Sequence, residues 1–175
     1  SLRFGTAFGI SFRTRFDLLV NSFVYEAMKN GKIMVFAANT WRPYVHVADM
    51  SKIILDILKA NSDGVGGEIF NAGAQSENYT KQEVVEMMVE AIPGLKANFT
   101  TSINDPRNYR VNFTKLNSII NFTPTRTVRD GIRELVLSIE NNILTETDFQ
   151  ANCLDHLEKF FAADRKSTRL NSSHT

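Results

Sequence analysis

Cysteine is almost missing from this chain. Cys153 stands alone among 175 residues, so no internal disulfide can form, and a reducing compartment, the cytoplasm, is the expectation. The histidines (His46, His156 and His174) have no metal-ligand spacing with it, so no metal site is expected. An excess of one charge is also missing. Twenty Lys and Arg against 19 Asp and Glu leave a formal net charge of +1, which offers no electrostatic footprint for nucleic acid or anionic lipid. No apolar run approaches the ~20 residues of a membrane span. The chain has no Gly-rich loop opening a helix, no nucleophile elbow and no Walker-type loop. Sequons at Asn78, Asn98, Asn112, Asn121 and Asn171 read as turn chemistry and chance.

What is present suits one globular domain. Apolar residues make up 43% and charged residues 22%, and the length suffices for a real core. Leu2 to Phe8 reads as one buried strand. Asp17 can cap a helix with the stripe Val20, Phe23, Val24, Ala27 and Met28, closed by Asn30-Gly31. Lys32 to Phe36 and Tyr44 to Val47 read as extended segments, with Pro43 at the start of the second because it cannot donate to a ladder. Met50, Ile53, Ile54, Ile57 and Leu58 predict an amphipathic helix behind Asp49 as cap. Glu68 to Ala72 reads as a strand ending at Gly73. Thr80 with Glu83 opens a helix burying Val84, Val85, Met88, Ala91 and Ile92 and stopped by Pro93-Gly94. Ala97 to Ser102 and Tyr109 to Phe113 read as extended, and Lys115 to Ile120 as a short helix. Thr127 with Asp130 opens a long helix with the stripe Val128, Ile132, Leu135, Val136, Ile139 and Ile143. Asp148 to Phe161 completes the helices. The order predicts an α/β fold without repeats. Residues 164–175, DRKSTRLNSSHT, cannot bury a face and resemble peptide read through from a sequencing adapter, so a disordered or non-native tail is expected.

Several blocks stand in a fixed order: LRFGTAFG from Leu2, RFDLLVNSFVYEAM from Arg15, WRPYVHVADM from Trp41, EIFNAG from Glu68 followed by NYTKQEVV, and DPRNYRVNFTKLNSIINFTPTRTVRDGIREL from Asp105. In order and spacing they resemble the extended short-chain dehydrogenase/reductases, the NAD-dependent nucleotide-sugar epimerases and dehydratases. The resemblance implies that residues 1–163 form the C-terminal part of a Rossmann-like doubly wound sheet plus a small mixed α/β substrate-binding subdomain. It implies a nucleotide-sugar substrate, NAD or NADP bound mainly by an upstream part, and a homodimer in the full-length protein. The family's Gly-rich loop and Tyr-x-x-x-Lys pair precede the strand that Leu2 to Phe8 resembles. No catalytic residue is therefore expected here, and the chain alone is expected to be inactive. The other readings are a non-catalytic dinucleotide or nucleotide-sugar sensing module of the same fold, and a fragment with no function of its own.

By resemblance, Arg42 pairs with the substrate diphosphate, a role that suits a planar guanidinium fork. Arg107 resembles a second phosphate or ribose contact, and strand alternation would put Arg110 on the opposite face. Asn21 and Arg15 fall in the block that resembles the nucleotide cover. Thr6 stands where many members carry Asn, and its hydroxyl cannot make a two-ended amide contact. Phe4 and Gly5 fall where the family meets nicotinamide. Asp105 and Tyr109 lie in the same blocks. Tyr25 and Lys29 do spell Tyr-x-x-x-Lys on one helix face, but after the first strand, so the pair reads as chance, with Lys29 in the last turn where a cation suits the helix dipole. Gly64, Gly66 and Gly67 precede a strand and read as a turn. His46 reads as a satisfied histidine at a strand-to-helix junction, and Cys153 as a small buried hydrophobe.

Overall fold

A computed structural model describes residues 1–100 and 107–150. Asp105, Cys153, His156, His174, the 164–175 tail and most of the helix expected over 148–161 lie outside the described residues. The expected first strand divides at Gly5. β1 (Leu2–Phe4) runs parallel to β5 (Phe70–Ala72), while β2 (Thr6–Phe8) runs parallel to β4 (Trp41–His46). A Cβ at Gly5 would lie 3.0 Å from the carbonyl oxygen of Pro43, so a bare backbone is what fits where the chain passes from one sheet to the other. β4 begins earlier than the sequence suggests, because Trp41 to Pro43 pair antiparallel with the short β6 (Asn78–Thr80). Pro43 thus sits inside β4, at the change of partner from β6 to β2. A third sheet pairs β3 (Lys32–Phe36) with β7 (Lys96–Thr100) in parallel.

The helices keep most of their expected faces and several different starts. α1 (Leu19–Asn30) begins after Leu18, which makes no side-chain cap bond. Asp17 is not the cap, because Arg15 captures its carboxylate at 2.5 Å. Gly31, with φ 63°, closes α1 and donates its N–H to the Ala27 carbonyl. α2 (Val47–Lys59) is capped by His46, whose Nδ1 accepts from the Ala48 N–H at 3.2 Å. Asp49 therefore lies in the first turn instead of capping it. A short helix, α3 (Ser62–Val65), and a 3-10 turn (Gln75–Glu77) occupy the connections around β5. α4 (Lys81–Ala91) and α6 (Val128–Glu140) both start with the expected capping boxes, Thr80 with Glu83 and Thr127 with Asp130. α5 (Thr114–Ile120) lies between them, and α7 (Glu146–Gln150) follows α6. Residues 109–113 form no regular strand. Their polar groups are met singly, as when Asn78 accepts from the Val111 N–H at 3.0 Å.

Two apolar cores result. The larger joins Phe8, Tyr44, Val20, Val24, Val84, Val85, Met88, Val128, Ile132 and Leu135, contributed by β2, β4, α1, α4 and α6. The smaller joins Ile53, Phe70, Ala72, Leu116 and Phe122, with Leu2, Phe4 and Ile57 packed against them. The stripe expected on α2 is only partly used. Ile53 is buried, but Ile54 is 42% and Leu58 75% exposed. On α6 the stripe is buried through Val136, while Ile143 falls beyond the helix and is exposed.

Two buried carboxylates stitch the cores at the start of α6. Asp49 accepts from the Thr125 N–H and hydroxyl and from the Arg126 N–H, at 2.6 to 3.1 Å. Glu77 accepts from the Val128 N–H at 2.9 Å. Burial, with Asp130 and Asp49 nearby, holds the Glu77 carboxyl above the usual range. Hydrogen bonds from Thr127 hold Asp130 below it.

Candidate functional site

The split at Gly5 creates a junction. The carboxyl ends of β1 and β5, Phe4 and Ala72, arrive beside the opening residues of β4, and the Gly5 N–H reaches the Ala72 carbonyl at 3.4 Å. The segment 107–113 runs along this junction. Asn108 accepts from the Trp41 N–H at 2.9 Å, Asn78 bridges the Val111 N–H and carbonyl, and Asn71 donates to the Asn112 carbonyl at 3.2 Å. Gly73, with φ 155°, lets Phe113 approach, since a Cβ there would come within 2.9 Å of its ring. In open α/β sheets ligands settle beyond strand carboxyl ends where neighbouring strands part.

Arg42 lies within this junction. It is only 8% exposed, one of its guanidinium NH groups donates to the Trp41 carbonyl at 2.7 Å, and its guanidinium carbon lies 5.3 Å from the Tyr109 ring centroid. Holding a guanidinium in one rotamer removes entropy that a ligand would otherwise have to supply. Tyr44, two residues along the same strand face, carries a signal that sequence reasoning missed. The residue is 1% exposed and its phenol oxygen has no hydrogen-bond partner among the described residues. Burial pushes its ionisation far upward, with Arg42 opposing, so the phenol keeps its proton and can act as a donor. The i, i+2 spacing from Arg42 could have pointed to it. Thr6 pairs with Tyr44 across β2 and β4, and its hydroxyl has no hydrogen-bond partner among the described residues.

The expected site residues fall into two groups. Phe4, Gly5, Thr6 and Arg42 meet at the junction, and Arg107 stands exposed at the start of the segment that lines it. Asn21 and Arg15 sit beyond the other end of β2. Asn21 is buried, and its amide is used at both ends: the oxygen accepts from the Gly9 N–H at 3.0 Å and the nitrogen donates to the Arg15 carbonyl at 2.9 Å. It shapes the loop 9–18, and Arg15 pairs with Asp17 there. Arg110 is exposed and stacks on Trp41, 3.3 Å from guanidinium carbon to ring centroid.

The remaining candidates are structural. Tyr25 and Lys29 share a face, as their spacing requires, and α7 covers it. Tyr25 stacks on Phe149 at 4.1 Å, and Lys29 pairs with Glu146. His46 is buried, with Nδ1 at the Ala48 N–H and Nε2 at 2.7 Å from the Glu134 carboxylate. Among the described residues no group of His, Cys, Asp and Glu could hold a metal ion. No helix among them is long and apolar enough to cross a membrane.

No protein-family model matches the chain. Solved structures do. The chain is similar to the UDP-glucuronic acid 4-epimerase of Bacillus cereus, in complex with UDP-glucuronic acid and NAD, at 19% identity and a TM-score of 0.68, covering 81% of this chain and 45% of that one. It is similar to the dTDP-glucose 4,6-dehydratase of Bacillus anthracis, in complex with NAD, at 24% identity and a TM-score of 0.65, covering 81% and 44%. L-threonine dehydrogenase from Phytophthora infestans matches about as well, at 15% identity and a TM-score of 0.66, covering 81% and 48%. The chain therefore spans less than half the length of these structures. At such identities the likeness establishes the fold: the chain carries a portion of the Rossmann-like α/β fold that these epimerases, dehydratases and dehydrogenases share, the fold that its resemblance to the extended short-chain dehydrogenase/reductases implies.

Proposed function

We propose that this chain is the substrate-binding part of an NAD(P)-dependent nucleotide-sugar epimerase or dehydratase, with Arg42 gripping the diphosphate. The observation that carries this reading is Arg42 itself, a buried guanidinium pre-oriented at the junction where β1, β2 and β5 meet β4. Arg107 adds a second cation on the lining segment. Tyr44, two residues along the strand from Arg42, adds a phenol without a hydrogen-bond partner among the described residues, and Thr6 pairs with it in register. Two cations and neutral donors suit a nucleoside diphosphate, whose charge is negative and whose ribose and sugar are rich in hydroxyls. The sugar-nucleotide enzymes of the same fold support this ligand class, while the threonine dehydrogenase shows that fold alone does not choose it.

NAD(P) would take a hydride from the sugar and return it. The described residues fit the edge of such a group and not its diphosphate. Phe4 and Gly5 present a partly buried surface at the carboxyl end of β1, whereas Gly64 lies inside the short α3 instead of the expected turn, and Gly66 and Gly67 form the turn after it. In this reading residues 1–163 orient the substrate, and the catalytic proton relay belongs to a further part of a cytoplasmic, dimeric protein. Asn21 and Arg15 contribute by shaping the loop beyond Phe8.

Calorimetric titration of the chain with UDP, with uridine as control, tests this reading. Arg42→Ala should weaken UDP binding about tenfold or more, since hydrogen bonds to charged groups are worth ~1.5–3 kcal/mol, and uridine should bind poorly to both. Equal UDP affinity in the two proteins would overturn it. The chain alone should show no NAD-dependent conversion of UDP-glucose.

A further inference from the structure

We propose that Arg110 is a positioning residue: stacked on Trp41, it clasps residues 107–111 to the start of β4 and so holds Tyr109 against the Arg42 guanidinium. The inference rests on the reading of Arg42 as the anion contact. Trp41 and Arg42 are neighbours on one strand, so their side chains leave it on opposite faces. Residues 109 and 110 meet them crosswise. The Arg110 guanidinium lies on the Trp41 ring at 3.3 Å, and the Tyr109 ring lies 5.3 Å from the Arg42 guanidinium. Each segment gives one cation and one aromatic ring, and each cation meets the ring of the other segment.

The rest of the attachment at this point is thin. No strand ladder forms, the Tyr109 N–H reaches the Trp41 carbonyl only at 3.4 Å, and residues 107–110 are exposed. Direct bonds come from the Trp41 N–H to the Asn108 side chain, and from Asn78 on β6 to the Val111 N–H and carbonyl at the far end of the segment. Arg110 forms no ion pair among the described residues, so its planar face is committed to the indole and not to a carboxylate. Releasing that stack frees Tyr109, and Arg42 loses the ring that restricts its rotamers on the ligand side. Arg110 thus acts through Tyr109 and Arg42 from the opposite face of β4.

The test uses the chain with UDP as probe, in the wild type and in R42A, R110A and R110K. Arg110→Ala should keep the melting temperature and weaken UDP about three- to tenfold, the range of one cation–π contact. R110K should recover part of that loss. The salt dependence of binding should be the same in R110A as in the wild type, because a residue that never touches the anion leaves the number of screened contacts unchanged. Amide exchange at Trp41 and Tyr109 should quicken in R110A, and the emission of Trp41, the only tryptophan, should shift. Wild-type affinity in R110A together with a damaged R42A overturns the clasp alone. A shallower salt dependence in R110A also overturns it, because Arg110 would then contact the anion directly. Wild-type affinity in R42A overturns the underlying reading, and unchanged exchange at Trp41 and Tyr109 in R110A shows separately that no clasp exists.

Discussion

The two cores of this molecule differ in how completely the chain covers them. The larger is closed by α1, α4 and α6, each presenting a continuous apolar stripe inward. The smaller rests on β1, β5, α5 and one side of α2, and leaves Ile54, Leu55 and Leu58 in water. The seam between them is polar, made by Asp49 and Glu77 against the start of α6. The candidate site lies at the strand junction of the same two regions. A closed core gives a rigid frame, and a junction of short strands leaves polar groups unpaired by ladder bonds. The backbone of residues 109–113 is such a stretch, and beside it the buried Tyr44 phenol has no hydrogen-bond partner among the described residues.

The contrast predicts a graded set of mutational effects. Leu135→Ala, in the closed core, should cost about 2–5 kcal/mol in chemical denaturation. A loss below ~1 kcal/mol would mean that the core is looser than it looks. Asp49→Ala should come next, at about 2–3 kcal/mol, because it strips the acceptor from the Thr125 and Arg126 N–H groups. If it melts like the wild type, the seam does not couple the regions. Leu58→Gln, on the open side, should change stability by no more than ~0.5 kcal/mol, and a large loss would show that α2 is covered.

Glu77 sharpens the contrast through pH. Burial holds its folded carboxyl above the ordinary value of 4.5, so folding favours its protonated form. The stability it contributes is full below about pH 4.5 and is lost as the pH rises through the folded value. Glu77→Gln keeps an acceptor for the Val128 N–H without the buried charge. It should therefore melt higher than the wild type at pH 7, with the gap closing toward pH 4. Asp130 is shifted the other way from 3.8, so Asp130→Asn should lose stability at pH 7 and progressively less below about pH 4. Parallel melting curves across this range would contradict both assignments.

Local chemistry was the legible part of the sequence. Both capping boxes, the Asn30-Gly31 stop and the inward stripes of α4 and α6 are set by neighbouring residues, and they appear where spacing puts them. Less legible was whatever depends on distant partners. Nothing within Leu2 to Phe8 says that its halves join different sheets. Asp49 looks like a cap until the Thr125 N–H, far along the chain, claims its carboxylate. The period of α2 marks an apolar face without saying what covers it. At the candidate site, the sequence singles out Arg42 through its block and passes over Tyr44, since a buried aromatic on a strand reads as packing until its oxygen is seen to lack a partner among the described residues.

The most direct measurement is amide hydrogen exchange of the chain with and without saturating UDP. Protection should rise in Phe4 to Ala7, Trp41 to Tyr44 and residues 107–111, and stay unchanged along α2 and at β3 and β7. Protection confined to α2, or to the β3–β7 sheet, would contradict a diphosphate site at the junction of the two cores.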